Sequence, residues 1–130
     1  MMKRIFFFVL AFALCLGLAG CGGSLPEGMD EEQVRQAAET TISQLVDEDY
    51  AALTASMDDT MKQAISEEEW PDIWEPVAQQ MGAFVELEKH TIVGKDGMAV
   101  DVAKAKFENG TLTFTLSYDT SYRLAGLYMK

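Results

Sequence analysis

Cysteine is nearly missing from this 130-residue chain: there are two, Cys15 and Cys21, both near the start. A chain that lost or modified that start would hold no thiol, so a disulfide framework and a thiolate metal site are excluded for the rest. Histidine occurs once, at His90, which rules out a multi-histidine metal site by count. It also leaves one candidate for an imidazole acid or base. There is no Gly-x-Ser-x-Gly elbow and no Asp-x-Asp-x-Asp-Gly calcium loop. There is no internal repeat. Basic residues are few, ten against 21 acidic ones.

What is present begins with a leader. Lys3 and Arg4 precede an apolar or small-residue run of fifteen, Ile5 to Ala19. A membrane-spanning helix needs about 20 such residues, so the run fits the hydrophobic region of a signal peptide. It closes on Leu18-Ala19-Gly20-Cys21. This tetrad resembles the lipobox of bacterial lipoproteins. The resemblance implies a diacylglyceryl group on the Cys21 sulfur, cleavage before Cys21, and acylation of the new amino group by a fatty acid such as palmitate. Two or more chains anchor a protein stably, at about 0.8 kcal/mol per buried methylene. The expected organisation is a signal peptide over 1–20, a lipidated tether over 21–29, and one domain over 30–130. The expected location is the extracytoplasmic face of the cell membrane, or the outer membrane in a two-membrane cell.

Without the leader, eight basic and 21 acidic residues remain, a net charge of −13. Fifteen of the acids lie between Glu27 and Glu75, against Arg35 and Lys62. That field repels nucleic acid and opposes broad docking on anionic headgroups. It suits solubility beside a membrane, or capture of a cationic ligand or partner.

The domain reads as helices followed by strands. Asp30 can cap a helix whose apolar stripe is Val34, Ala38, Thr41, Ile42 and Leu45. Tyr50, Leu53 and Met57 give a second, short helix, and Met61, Ala64 and Ile65 a further helical turn. Ser66 followed by Glu69 forms a capping box ahead of Trp70, Trp74, Val77 and Met81, so a helix is expected from 67 or 70 to 81. Pro76 should bend it, and Gly82 should stop it. The period then changes to two. Val85, Leu87, Thr91 and Val93 alternate with Glu86, Glu88 and His90. Gly94 to Gly97 makes a turn, and Met98 to Phe107 a second strand. Asn109-Gly110 suits a two-residue type I′ turn. Leu112, Phe114, Leu116 and Tyr118 mark a third strand, and residues 122–129 a fourth. Helices first and an antiparallel meander second make an α+β fold, with helices on one face of a curved four-stranded sheet.

The helix bearing Trp74, the segment Gly82-Ala83-Phe84, the run from Phe107 to Phe114, and Ala125-Gly126-Leu127-Tyr128 together resemble a bacterial domain-of-unknown-function family, number 3887. The resemblance implies a nuclear-transport-factor-2-like fold, in which a bent sheet wraps helices and often leaves a pocket. Relatives often precede an α/β-hydrolase domain. Without an elbow serine that activity does not carry over, and no catalytic residue is transferred.

The remaining candidates are individual residues. His90 could act as a base beside Glu86 or Glu88, but alternation places all three on an exposed face. Glu67-Glu68-Glu69 and Asp58-Asp59 read as caps and surface charge rather than a cation site. Trp70 and Trp74 on a helix, facing Phe114 and Leu116 on the sheet, are the candidate walls of an apolar pocket, or else plain core. Asp101 lies among Ala99, Ala103 and Ala105; pointing inward it would need a partner, and an outward or edge position is expected. No cofactor or metal is expected. The reading that follows is a lipid-anchored, non-catalytic domain that binds a small ligand or a protein. The alternatives are a pocket enzyme using a carboxylate or His90, and a structural assembly protein.

Overall fold

The computed structural model describes residues 24–130. The leader, Leu18-Ala19-Gly20-Cys21, and the start of the tether lie outside the described residues.

Among the described residues four α-helices come first: α1 (Glu31–Val46), α2 (Tyr50–Ala55), α3 (Asp59–Ala64) and α4 (Trp70–Met81). A 3-10 turn (Glu67–Glu69) leads into α4. Much of the acidic half is spent on starting these elements. Asp30, Asp49 and Asp58 each accept a backbone N–H from the first turn of α1, α2 and α3, a contact typically worth about 1 kcal/mol. Glu69 accepts the Ser66 N–H at 2.8 Å, so the acidic side of the capping box is made. Pro71 stands in the first turn of α4, and Gly82 (φ 79°) ends it. The helix runs on through Pro76.

Four strands follow: β1 (Phe84–Lys95), β2 (Met98–Phe107), β3 (Gly110–Tyr118) and β4 (Leu124–Met129), an antiparallel meander in the order β1-β2-β3-β4. The α+β plan is therefore the fold. The β1–β2 turn has the two positive φ angles of a type I′ turn, at Asp96 (55°) and Gly97 (79°). The β2–β3 turn sits one residue earlier than expected. Phe107 pairs with Gly110, so Glu108-Asn109 forms the loop, and neither residue has positive φ. The loop is held from outside instead: the Glu108 and Asn109 N–H groups donate to Ala83 and Met81 carbonyls, and Asn109 Nδ2 donates to Gln80 O.

One face of the sheet carries the core. Ala99, Ala103 and Ala105 of β2 are buried, and α1 packs over β1 and β2. The small alanines let the helix come close. Val34, Ala38, Ile42 and Leu45 complete that layer, and Trp70 and Trp74 of α4 meet Phe107, Phe114 and Leu116 in the same cluster. At the other edge the α2–α3 link bridges to β4, with Asp58 N–H donating to Leu124 O and Leu124 N–H to Ser56 O.

The tether does not stand wholly free. Leu25 and Met29 pack against the core, and the Ser24 carbonyl oxygen takes up the space where a Cβ on Gly94 would sit. Only glycine at 94 lets the backbone of residues 24 and 25 cross β1 there. Gly94→Val is expected to detach this strap at a cost of about 1–2 kcal/mol. The check is faster proteolysis before Asp30 together with a lowered melting temperature; an unchanged cleavage rate would contradict the docking.

Candidate functional site

Alternation in β2 should place one residue in two on the buried face. The buried set is Ala99, Asp101, Ala103, Ala105 and Phe107. Asp101 is thus inside, fully buried, where an outward position was expected. The expectation failed because Val100 and Val102 look like the core side of this strand and the alanines do not. The close approach of α1 reverses that preference.

His90 joins it through two irregularities in β1. The register slips between Phe84 and Glu86 and again between Leu87 and Lys89. Each slip inserts a residue and shifts the alternation. Phe84, Leu87, His90 and Ile92 consequently all turn to the core side, opposite Phe107, Ala105, Ala103 and Asp101. The exposed-face reading of His90 is therefore corrected: its side chain is 13% exposed, while Glu86 and Glu88 stay on the surface.

His90 Nδ1 and Asp101 Oδ2 are 2.6 Å apart, a short hydrogen bond. On the other side of the ring, Nε2 lies 3.6 Å from Glu39 Oε2 of α1, a charge contact beyond hydrogen-bonding distance. Asp101 Oδ1 is buried with no partner among the described residues. Burial pushes the Asp101 carboxyl above the usual carboxylate range. The hydrogen bond and charge of His90, then the charge of Arg35, pull it back, and Glu39 pushes it up again. Nearby, Tyr118 and Thr41 share a buried 2.7 Å hydrogen bond. Burial, opposed by that bond and reinforced by Asp101, raises the Tyr118 hydroxyl far above its usual value.

An imidazole held by a carboxylate is the orienting half of a hydrolytic triad, but here Nε2 faces Glu39 rather than a hydroxyl or thiol. The Thr41 hydroxyl is engaged with Tyr118 and donates to Ala37 O. Among the described residues no group of three or more His, Cys, Asp or Glu side chains is placed to hold a metal ion. Nor, among them, is any helix long and apolar enough to cross a membrane.

Glu39 also opens to the surface. Between α1 and β1 lies a groove of about 340 Å³ with apolar walls from Ile42, Val46, Phe84 and Leu87, and Glu39, Ser43 and Asp47 along its rim. It continues over α1 into a more open polar depression of about 580 Å³ that shares those three rim residues and adds Asp49. Glu39 thus joins a ligand-sized groove to the buried pair. Trp70, Trp74, Phe114 and Leu116, the candidate pocket walls, are instead packed within the core, each no more than 1% exposed. Trp74 and Phe114 have ring centroids 6.3 Å apart. Sequence spacing alone does not mark Glu39, Ile42 and Val46 as site residues: i, i+3, i+7 puts them together along α1, but Ile42 belongs to its apolar stripe and reads as core.

The family described as "Protein of unknown function (DUF3887)" matches residues 38–127. An NMR structure of a protein from Ruminococcus gnavus ATCC 29149 superposes with a TM-score of 0.66 at 27% identity, over 82% of this chain and 96% of that one. No curated protein matches the sequence. The match over residues 38–127 covers most of the chain, including both walls of the groove and the Asp101–His90 pair, and on it this chain belongs to the DUF3887 family.

Proposed function

We propose that this is a lipid-anchored extracytoplasmic protein whose domain binds a ligand without transforming it. The observation that carries the binding reading is the groove between α1 and β1, where four apolar side chains form the walls and two carboxylates, Glu39 and Asp47, stand at the rim. That arrangement favours a protonated amine attached to an apolar group: the hydrocarbon leaves water against Ile42, Val46, Phe84 and Leu87, and the cation meets the carboxylates. The strongly acidic helix half raises the local concentration of such a cation. His90, hydrogen-bonded to Asp101, stands behind Glu39 with its Nε2 3.6 Å from the carboxylate, so the pair adds charge behind the rim and does not touch the ligand. Among the described residues no nucleophile faces His90 Nε2, which supports binding over catalysis.

The anchor follows from the tetrad ending at Cys21. Labelled fatty acid is expected to enter the wild-type protein and not Cys21→Ser; equal labelling of both would refute it. The groove is tested by calorimetry with octylammonium as the probe. Glu39→Gln with Asp47→Asn should weaken binding at least about tenfold, the share of two half-exposed charges. Unchanged affinity would place the ligand elsewhere.

A further inference from the structure

The sheet face turned away from the helices has the opposite character from the rest of the molecule. Because Ala99, Asp101, Ala103 and Ala105 point inward, Lys104 and Lys106 point outward. Register sets Lys89, Lys104, Thr113 and Lys130 in one row across all four strands. Lys89 and Lys104 are directly opposite each other, a pairing that weakens a sheet unless a counter-charge lies over it. Among the described residues none of these lysines is in an ion pair. On this face β2, β3 and β4 present no carboxylate; Glu86 and Glu88 lie on the β1 edge, with Glu86 directly opposite Lys106, so the uncompensated lysines are Lys89, Lys104 and Lys130.

The same face has a depression of about 300 Å³ next to the β1–β2 turn, where Lys95, Thr115, Ser117 and Tyr128 stand around Met98 and Val100, with Asp96 at the turn. Lysine and two hydroxyls supply donors for a phosphate oxygen. Tyr128, 72% exposed, is the amphipathic type that settles at membrane interfaces. Ser24 crosses β1 at Gly94, one residue before this turn and on the helix side of the sheet, since Gly94 pairs with the buried Ala99. Strand β1 is an edge strand, so a short tether can still pass around it to the outward face. Covalent geometry lets a lipid on Cys21, three residues earlier, lie no farther than about 11 Å from Ser24. The acidic helices are on the far side of the sheet, and charges there are screened over about 8 Å at physiological salt.

We propose that this outward sheet face docks on an anionic phospholipid surface, with a headgroup phosphate seated in the depression beside Lys95. Whole-molecule charge opposes broad membrane docking, but one lysine-bearing face within the anchor's reach around the β1 edge does not meet that objection. The helix-side groove then points away from the bilayer and stays open to its ligand.

The proposal takes the position of the membrane from the anchor reading, so its test supplies the anchor chemically. The mature chain from Cys21 has one thiol, which couples to a maleimide-bearing lipid. Coupled protein is placed on vesicles of phosphatidylcholine alone, or of phosphatidylcholine with phosphatidylglycerol, and lysine acetylation is followed residue by residue. Lys95, Lys104 and Lys130 should react about five-fold more slowly on the anionic vesicles, the gain each lysine makes at such a surface, and high salt should remove the difference. Lys62, on the helix side, should not change. Equal rates on the two vesicles would overturn the proposal. So would protection that appears without lipid and grows with protein concentration, because the occupant would then be a second copy of the chain. Neither outcome bears on whether Cys21 is acylated in the cell, which the fatty-acid labelling decides separately.

Discussion

Trp74→Ala is expected to lower the unfolding free energy by about 4 kcal/mol and the melting temperature by about 20 °C. Trp74 is 1% exposed and is the joint between α4 and the sheet, with ring centroids 6.3 Å from both Phe107 and Phe114. Phe107 continues the contact to Phe84 at 5.5 Å, edge to face. Removing the indole therefore opens a cavity bordered by three elements whose backbones are fixed by other contacts, so it cannot close by a small shift. With no disulfide available to the domain, nothing covalent limits the loss. Urea unfolding of the variant should show a lower midpoint with an unchanged slope. Tyr128→Ala, on the open face, should stay within about 0.5 kcal/mol of wild type. A loss below about 1 kcal/mol for Trp74→Ala would mean that the tryptophan lines a space rather than fills the core.

His90→Leu should be the second most damaging change, at about 3 kcal/mol near neutral pH, because it leaves the buried Asp101 carboxylate without its partner. The pH dependence has a definite sign. The folded-state pKa of Asp101 is raised above its ordinary 3.8. Stability tied to its protonated form is fully present below that ordinary value and is lost as pH rises through the folded one. His90 and Arg35 hold that rise down in the wild type. Without His90 the folded pKa climbs further, so the variant should lose more stability than the wild type on going from about pH 3 to pH 8. Adding Asp101→Leu should restore most of the loss at neutral pH, since an apolar pair replaces a charged one. A deficit in His90→Leu that is independent of pH would show that packing alone, and not the charge of Asp101, is at stake.

The sequence announces some of this architecture directly. The aspartates ahead of α1, α2 and α3 signal the helix starts, and the spacing from Val34 to Leu45 signals the buried side of α1. Strand β3 alternates cleanly because Leu112, Phe114, Leu116 and Tyr118 are large and inward while threonines and Ser117 face out. The site was hidden for two reasons. In β1 the inserted residues break the period of two, so Phe84, Leu87, His90 and Ile92 share a side that no fixed alternation predicts. In β2 the buried side is made of alanines, selected by the nearness of α1, and the valines lie outside. A register slip and a helix–sheet distance are tertiary facts, and the pairing of His90 with Asp101 depends on both. The β2–β3 loop teaches the same lesson: Asn109-Gly110 has the local signature of a turn, but docking of Glu108 and Asn109 on the end of α4 moves the turn by one residue.

The α1–β1 groove is the place proposed for the ligand. The measurement that addresses it most directly is a titration of the uniformly ¹⁵N-labelled mature domain with octylammonium, with octanoate as the control of opposite charge. Amide signals of Glu39, Ile42, Ser43, Val46, Asp47 and Leu87 should move together and saturate, while those around Tyr128 stay in place and octanoate moves none of them. Shifts spread evenly over the domain, or equal responses to the two probes, would contradict the assignment of this groove as a cation-selective binding site.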